Sequence, residues 1–588
     1  MTVDSHASPA AFHGGAFLLD AVSSDQVFTT EEFGPDARMM AQTADDFLRR
    51  EVLPHTERIE AHDTDLMARL LRKAGDLGLL GAEVPEVYGG LGLDNRTGAL
   101  LAEKLNWQQS FALTHEAHTV IATLPLLYFG NHEQKSRYLP KLAGGEWIGS
   151  FALSEAGSGS DALGAQTRAT LSPDGSHYVL NGTKMWITNT AFADFFTVFA
   201  KVDGDKFSAF LVERSMPGVS FGKEEHKLGM KGTSTRRVIL EDVRVPVENL
   251  LRGAGKGHYA AFCALNMGRF KLEAGAVGGI KETIALCAAY AKQRKQFGKP
   301  IAEFGLIQAK LGEMAARCFA LESAVYRLAG LLDGVFEGIV PDSPDASTQY
   351  HRAAEEYSVE CSIVKVVGSE LYSWATDEGI QIHGGYGYTE EFPMARAWRD
   401  QRLLRIGEGA NEVVRLTIVN TLLRREAAGR LDLAAATSRA SEKPCADEER
   451  EETPESLVRQ LKTAGLLLLD LARKEWGDSL MEQQEVVAAI ADIVAAAYVA
   501  ESAVLRARKL TGPGAKLALD AALLYTVEAI HAVQPAAGAS VDHLSRVDTN
   551  HEVSARLMGE LMVWGRHDRI ALRRRIAAAT LERESYPW

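Results

Sequence analysis

The sequence lacks the short motifs that announce metal chemistry or nucleotide hydrolysis. It has no HExxH, no CxxC pair, no Walker loop of the form Gly-x-x-x-x-Gly-Lys-Ser/Thr and no Gly-x-Ser-x-Gly elbow. Cysteine is scarce: Cys263, Cys287, Cys318, Cys361 and Cys445 are scattered without paired spacing, which argues against a disulfide framework or a structural zinc and fits a reducing compartment. The first Lys or Arg is Arg38, so the amino terminus has neither the basic start of a signal peptide nor an Arg-rich transit helix, and a bacterial cytoplasm is the expected location. Positive charge is short overall. With 64 Lys and Arg against 78 Asp and Glu the net charge is −14, which excludes nucleic acid as the expected partner, because a phosphate backbone is held chiefly by neutralising cations. No run of about 18 uncharged apolar residues occurs, so no transmembrane anchor is expected, while attachment to a membrane surface stays open.

What is present is length and apolar content. The 588 residues, 46% apolar, are enough for three or four domains at roughly 150 residues each. Residues 1–34 carry few periodic apolar positions and read as an arm on the surface or on a partner subunit. From 35 to 150 the apolar spacing is helical, as in Met67, Leu70, Leu71, Ala74 and Leu77. Between 151 and 257 short alternating runs predict strands, with Asn181-Gly182 as a tight hairpin turn between two of them. Long amphipathic helices return from 258 to 430, broken by Pro341 to Ser347, and imply a four-helix bundle. A charge-rich stretch, 431–455, reads as a linker or mobile loop. The last region, 456–588, is helical, opens at Thr453-Pro-Glu-Ser, and carries a helix, Ser456 to Trp476, that packs on protein or, less commonly for such a helix, on a membrane. The fold class expected is α+β, mostly α: a helical N-terminal domain, a middle β-barrel or sandwich, a four-helix bundle and an extra C-terminal helical domain.

Glycine-bearing clusters are the informative local signals, since glycine lets a bulky ligand approach backbone N–H groups. Gly253-Ala-Gly-Lys-Gly257 lacks the spacing of a dinucleotide loop and reads as a surface turn. Three others are Phe151-Ala-Leu-Ser-Glu-Ala-Gly-Ser-Gly-Ser-Asp161, Gln381-Ile-His-Gly-Gly-Tyr-Gly387 and Ile406-Gly-Glu-Gly-Ala-Asn-Glu412. Together with Lys184-Met-Trp-Ile-Thr188, Arg294-Lys-Gln-Phe-Gly298, Phe304-Gly-Leu-Ile-Gln308 and Arg399-Asp400, and in this order, they resemble the acyl-CoA dehydrogenase family over residues 35–430. The extra helical region brings the resemblance nearest the very-long-chain branch.

The resemblance implies FAD as cofactor and a fatty acyl-CoA as substrate. It implies a homodimer in which the ADP half of the flavin reaches the neighbouring subunit, and electron-transfer flavoprotein as electron acceptor. Residue by residue it implies that Phe151, Leu153, Ser154, Trp186, Ile187 and Thr188 line the flavin, with Ala410 and Glu412 beside it. Arg294 and Phe297 would hold pyrophosphate and adenine, and Gln381, Gly384 and Gly385 would cradle the ADP portion; a guanidinium fork suits pyrophosphate. Ser160 would touch both cofactor and acyl-CoA, and Asn266, Arg269 and Gly409 would serve the substrate, Arg269 by placing the catalytic segment.

Glu408 matches the family's catalytic base, which removes the α-proton while the β-hydride passes to flavin N5. Removing so weakly acidic a proton needs a carboxylate desolvated enough to raise its pKa and hydrogen bonds for the enolate oxygen. The alternative position used by other branches is Gly268, which cannot act as a base, and Glu273 reads as structural. His115, His118, His226 and His383 read as loop or surface residues. Gly407, Ala410, Ala156 and Phe151 depart from common family residues, and the polar Thr114 to Ile121 segment, expected near the distal end of the acyl pocket, leaves chain length undetermined. No metal is implied. Two alternatives keep the fold: an acyl-CoA oxidase-type flavoenzyme, and an assembly or scaffold protein with reduced catalysis.

Overall fold

The computed structural model describes residues 13–442, 453–544, 551–563 and 567–588. Its first part is helical. The helix Thr64–Asp76 buries Leu66, Met67, Leu70, Leu71 and Ala74, and is capped by the Asp63 carboxylate, which accepts from the Leu66 N–H. The segment Ala117–Ala122 is a π-helical turn set between the helices Gln109–Glu116 and Thr123–Phe129.

A sheet follows: β1 (Gly149–Ala152), β2 (Arg168–Leu171), β3 (His177–Thr188), β4 (Phe195–Val202), β5 (Lys206–Glu213), β6 (Val219–Phe221), β7 (Thr235–Pro246) and β8 (Leu250–Leu251). The strand order is β6-β7-β3-β2-β4-β5-β8, and β1 runs parallel to the first half of β4. The expected hairpin at Asn181-Gly182 does not form. Both residues lie inside the continuous strand β3, at an irregularity in its antiparallel pairing with β7. The Asn181 amide donates to Asp242, and Gly182 passes so close to Thr167 that a Cβ would lie 2.4 Å from its Oγ1. Glycine is there for close approach; ladder pairing on both sides overrides the local turn preference.

The helices Gly257–Gln293, Gly305–Phe336, Ser358–His383 and Asn411–Ala427 form the bundle, with Ala346–Glu356 and Pro393–Gln401 at its flanks. Asp400 ties bundle to sheet: its carboxylate accepts from the Met230 N–H at 2.5 Å and pairs with Arg396. In the last region, the helix Pro454–Trp476 starts on a Thr453 cap and buries Leu457, Leu461, Ala464, Leu468 and Leu471, a 4-3-4-3 spacing that makes one continuous face. Each fully buried leucine contributes about 1.5–3 kcal/mol. That face packs on Gln484–Lys509, which is long and apolar enough to cross a membrane but has 89% of its apolar window buried inside the protein.

Two expectations need correction. Residues 13–34 are not a surface arm: Phe17 is buried edge-on to Tyr498 at 4.9 Å, and Glu31 pairs with the buried Arg506 at 2.7 Å. A few large side chains and the ion pairs of Glu31 with Arg506 and Glu32 with Lys509 anchor a segment that has no periodicity of its own. The 431–455 stretch is not all linker, since Leu433–Glu442 is a helix whose Leu433 and Ala436 are buried against Pro454–Trp476. Residues 443–452, with Cys445 and Asp447 to Glu452, lie outside the described residues; the other four cysteines are buried and free.

Candidate active site

Glu408 sits in the short turn Ile406 to Ala410 that enters the helix Asn411–Ala427. Its backbone is left-handed, with φ of 55°, and Gly409 follows at 101°. A non-glycine residue held there is strained, and strain of this kind is retained where it aims a functional side chain. Arg269 holds the turn, its Nε donating to the Glu408 carbonyl at 2.9 Å, and Lys365 donates to the Gly409 carbonyl at 2.5 Å and to Asn411 Oδ1 at 2.6 Å. Asn411 in turn donates to Ser369 and Glu370.

The carboxyl of Glu408 points toward the helix Gly257–Gln293 at Gly268. A Cβ on Gly268 would lie 3.1 Å from Glu408 Cδ and Oε2 and 3.3 Å from the Ile121 methyl. The two positions at which a base could stand therefore face the same space, and glycine at one leaves room for the carboxylate from the other. Oε2 is buried and has no hydrogen-bond partner among the described residues. Burial raises the Glu408 carboxyl to about 7, against the opposing pull of Arg269 and Lys365. Glu273, one turn further along, is wholly buried between helices and held far above the carboxylate range by burial, so it is neutral and structural.

The Phe151 to Asp161 cluster leaves the end of β1. Phe151 packs edge-on against Phe199 at 5.0 Å, and the Ser154 carbonyl accepts from the Met185 N–H. Glu155 organises the loop: its carboxylate accepts from the N–H groups of Gln166 and Thr167, from the Thr167 hydroxyl and, at 2.7 Å, from the fully buried Lys184, whose ammonium also reaches the Leu153 carbonyl. Trp186 breaks the register of β3 with a φ of 58° and leaves its ring 55% exposed. Ile187, by contrast, turns into the sheet core, so only its backbone faces Trp186 and Thr188. Ser160 is exposed on the loop.

A second group lies at the far end of the same helix. Arg294 caps Gly257–Gln293 and is 25 residues beyond Arg269, about 37 Å along the axis. Its guanidinium lies over the Tyr386 ring at 5.6 Å, beside Gly384 and Gly385, whose faces are open within 4 Å. Phe297 is 94% exposed, and Gln381 is exposed as well. The structure thus gathers Arg294, Phe297, Gln381, Gly384 and Gly385 on an outer surface, and Glu408, Gly409, Ala410 and Arg269, all half-buried, around the turn that faces Gly268. Glu412 is exposed in the first turn of its helix.

Asn266 is buried: its amide donates to the Ala354 carbonyl and its oxygen accepts from Arg269, so it supports that arginine. Three histidines expected on loops or the surface are buried instead. His115 and His118 bond the Leu79 and Leu142 carbonyls, and His383 bonds the Gly379 carbonyl and stacks on Tyr290. Burial lowers His115 to about 4 and His118 to about 3, so both are neutral. Glu155, Lys184, Lys365 and Asn411 escaped the sequence reading as site residues. The available signal was a charge standing alone in an apolar run, as Lys365 does in Ser362-Ile-Val-Lys-Val-Val367.

Four family models match the chain: "Acyl-CoA dehydrogenase, N-terminal domain" over residues 34–146, "middle domain" over 150–243, and two described as "C-terminal domain" over 255–423 and 460–557. A probable acyl-CoA dehydrogenase of Bacillus subtilis is 45% identical over 583 residues, covering 97% of this chain and 98% of that protein. The very long-chain specific acyl-CoA dehydrogenase of Bos taurus is 37% identical over 408 residues, covering 66% of this chain and 60% of that protein. Among solved structures, an acyl-CoA dehydrogenase complexed with FAD from Bacillus anthracis superposes with a TM-score of 0.94 at 45% identity, over 98% of this chain and all of that one.

Proposed function

The chain belongs to the acyl-CoA dehydrogenase family, and we propose that it oxidises a fatty acyl-CoA to the trans-2-enoyl thioester with Glu408 as the base. The observation that carries this reading is the Glu408 carboxyl: buried, without a partner at Oε2 among the described residues, raised to about 7 and facing the gap at Gly268. A carboxylate in that condition takes a weakly acidic proton far better than a solvated one. The α-proton passes to Glu408 and its electron pair becomes the new double bond as the β-hydride leaves. FAD, when bound, supplies the two-electron acceptor for that hydride.

The residues present fit that cofactor. Trp186 offers an exposed aromatic face, with Phe151, Leu153, Ser154 and Thr188 around it, and the Glu155–Lys184 pair holds the loop that would line it. Arg294, Phe297, Gln381, Gly384 and Gly385 would take the ADP portion. Arg294 lies about 37 Å along one helix from Arg269, which holds the Glu408 turn, and this separation supports a homodimer in which the group serves the partner's flavin. Electron-transfer flavoprotein is the proposed acceptor. A bacterial cytoplasm is the proposed location, and free buried thiols suit it.

The test is anaerobic titration of the FAD-loaded protein with saturated acyl-CoA thioesters of graded chain length, followed by flavin absorbance. Bleaching is expected with wild type and not with Glu408→Gln. Bleaching by the variant would move the base elsewhere. Peroxide formation under air, in place of reduction of an artificial acceptor, would select the oxidase reading.

A further inference from the structure

The space beside Glu408 adjoins a cavity that is not uniformly apolar. The cavity holds ≈ 30 Å³, room for one or two waters. Its walls are aliphatic at Leu80, Leu101, Val120 and Leu124, but Glu83, His115, Glu116, Thr119 and Lys271 also line it. It adjoins the catalytic space, with which it shares two walls. The helix Gly257–Gln293 presents Gly268 to Glu408 and, one turn on, Lys271 to the cavity. The π-helical turn Ala117–Ala122 presents Thr119 and Val120 to the cavity and Ile121 to Gly268. Such turns alter the facing of side chains and recur at functional sites.

Four of the five polar groups already have protein partners. Lys271 pairs with Glu83 at 2.8 Å and donates to the Asn95 carbonyl, Thr119 donates to the His115 carbonyl, and His115 bonds the Leu79 carbonyl. Glu116 has no hydrogen bond or ion pair among the described residues. Burial, then the nearby Glu408 charge, raises its carboxyl to about 8, so that it stands protonated at neutral pH, with one O–H to donate and one oxygen to accept. A methyl or methylene group of the chain reaching into this cavity would leave that group unsatisfied.

We propose that Glu116 reads the acyl chain, and that the preferred thioester carries a hydroxyl group beyond its β-carbon that exchanges hydrogen bonds with the Glu116 carboxyl. A hydroxyl matches both halves of a neutral carboxyl. A terminal carboxylate does not, because it would add an anion where Glu83 and Glu408 already stand and the one lining lysine is paired. The assignment rests on Glu408 being the base of an acyl-CoA dehydrogenase.

The experiment measures kcat/KM for pairs of saturated acyl-CoA thioesters of equal length, one plain and one hydroxylated at the mid-chain, penultimate or terminal carbon. It compares the FAD-loaded wild type, Glu116→Gln and Glu116→Leu. In wild type, hydroxylation at one position should raise kcat/KM by roughly tenfold to a hundredfold. Glu116→Gln, which can still donate and accept, should keep most of that preference, and Glu116→Leu should abolish or invert it. Wild type that prefers the plain chain at every position overturns the proposal, as does an undiminished preference in Glu116→Leu. Reduction by no thioester at all overturns the dehydrogenase reading, and this one with it; reduction by plain chains alone overturns only this one.

Discussion

Glu408 should make the protein less stable, and the amount should depend on pH. Its carboxyl rises from 4.5 to about 7 on folding, chiefly because burial disfavours the ionised form. A folded-state pKa above the unfolded one means that the folded state holds the proton more tightly, so ionisation works against folding. Below pH 4.5 the group is protonated in both states and costs nothing. Between 4.5 and 7 the cost grows, and above 7 it is constant at about 3 kcal/mol, at about 1.4 kcal/mol per pH unit. Glu408→Gln removes the charge and keeps the shape. The variant should therefore be more stable than wild type by about 1 kcal/mol at pH 5 and about 3 kcal/mol at pH 8, less a fraction for the amide's unmet hydrogen bonds. Urea denaturation of both proteins at the two pH values, with the midpoint of the transition that unfolds the bundle as the readout, measures this. A variant that is no more stable than wild type at pH 8, or one whose advantage is the same at both pH values, would refute the assignment of Glu408 as a strained, desolvated base.

Further expectations concern catalysis and the buried charges. The pH profile of kcat/KM should rise with an apparent pKa near 7, falling about tenfold for each unit below it, since the ionised Glu408 is the active form; stopped-flow flavin reduction from pH 5.5 to 9 checks this. Lys184→Met leaves Glu155 without its buried cation, and should lower FAD retention on desalting while leaving the helical circular dichroism intact. Glu322→Gln takes the charge from a carboxylate that burial would raise but that Arg506 and Lys281 hold down at about 2. Breaking that pair should cost about 3–5 kcal/mol and lower the thermal midpoint. Light scattering should report a dimer, and a tetramer would contradict the proposed assembly.

Where interactions are local and periodic, the sequence was enough. The 4-3-4-3 spacing of Leu457 to Leu471 and the alternation in β7 identify elements because a helix or strand repeats the same face every few residues. Glu408 could be named because its turn carries a string of glycines beside one acid, next to motifs in a recognisable order. The failures share one cause, which is contact between residues hundreds of positions apart. Asn181-Gly182 has strong turn chemistry, yet pairing with β2 and β7 keeps the chain extended. Residues 13–34 have no repeat, yet Phe17 and Glu31 find Tyr498 and Arg506 at the other end of the chain.

Buried charges are the least legible class, because Lys184, Lys365, Glu322 and Arg506 look like surface residues until their partners are known. Glu322 meets Lys281, Arg506 and the Tyr586 hydroxyl, and through Arg506 the network extends to Glu31. Five separated stretches of chain thus meet around one buried carboxylate and its cations. Charges are expensive to bury and leave few alternative partners, so the cluster fixes the register of the terminal segments against the bundle where apolar packing alone would tolerate a shift. The bundle whose geometry aims Glu408 at Gly268 is in this way clamped from outside by residues that take no part in the chemistry.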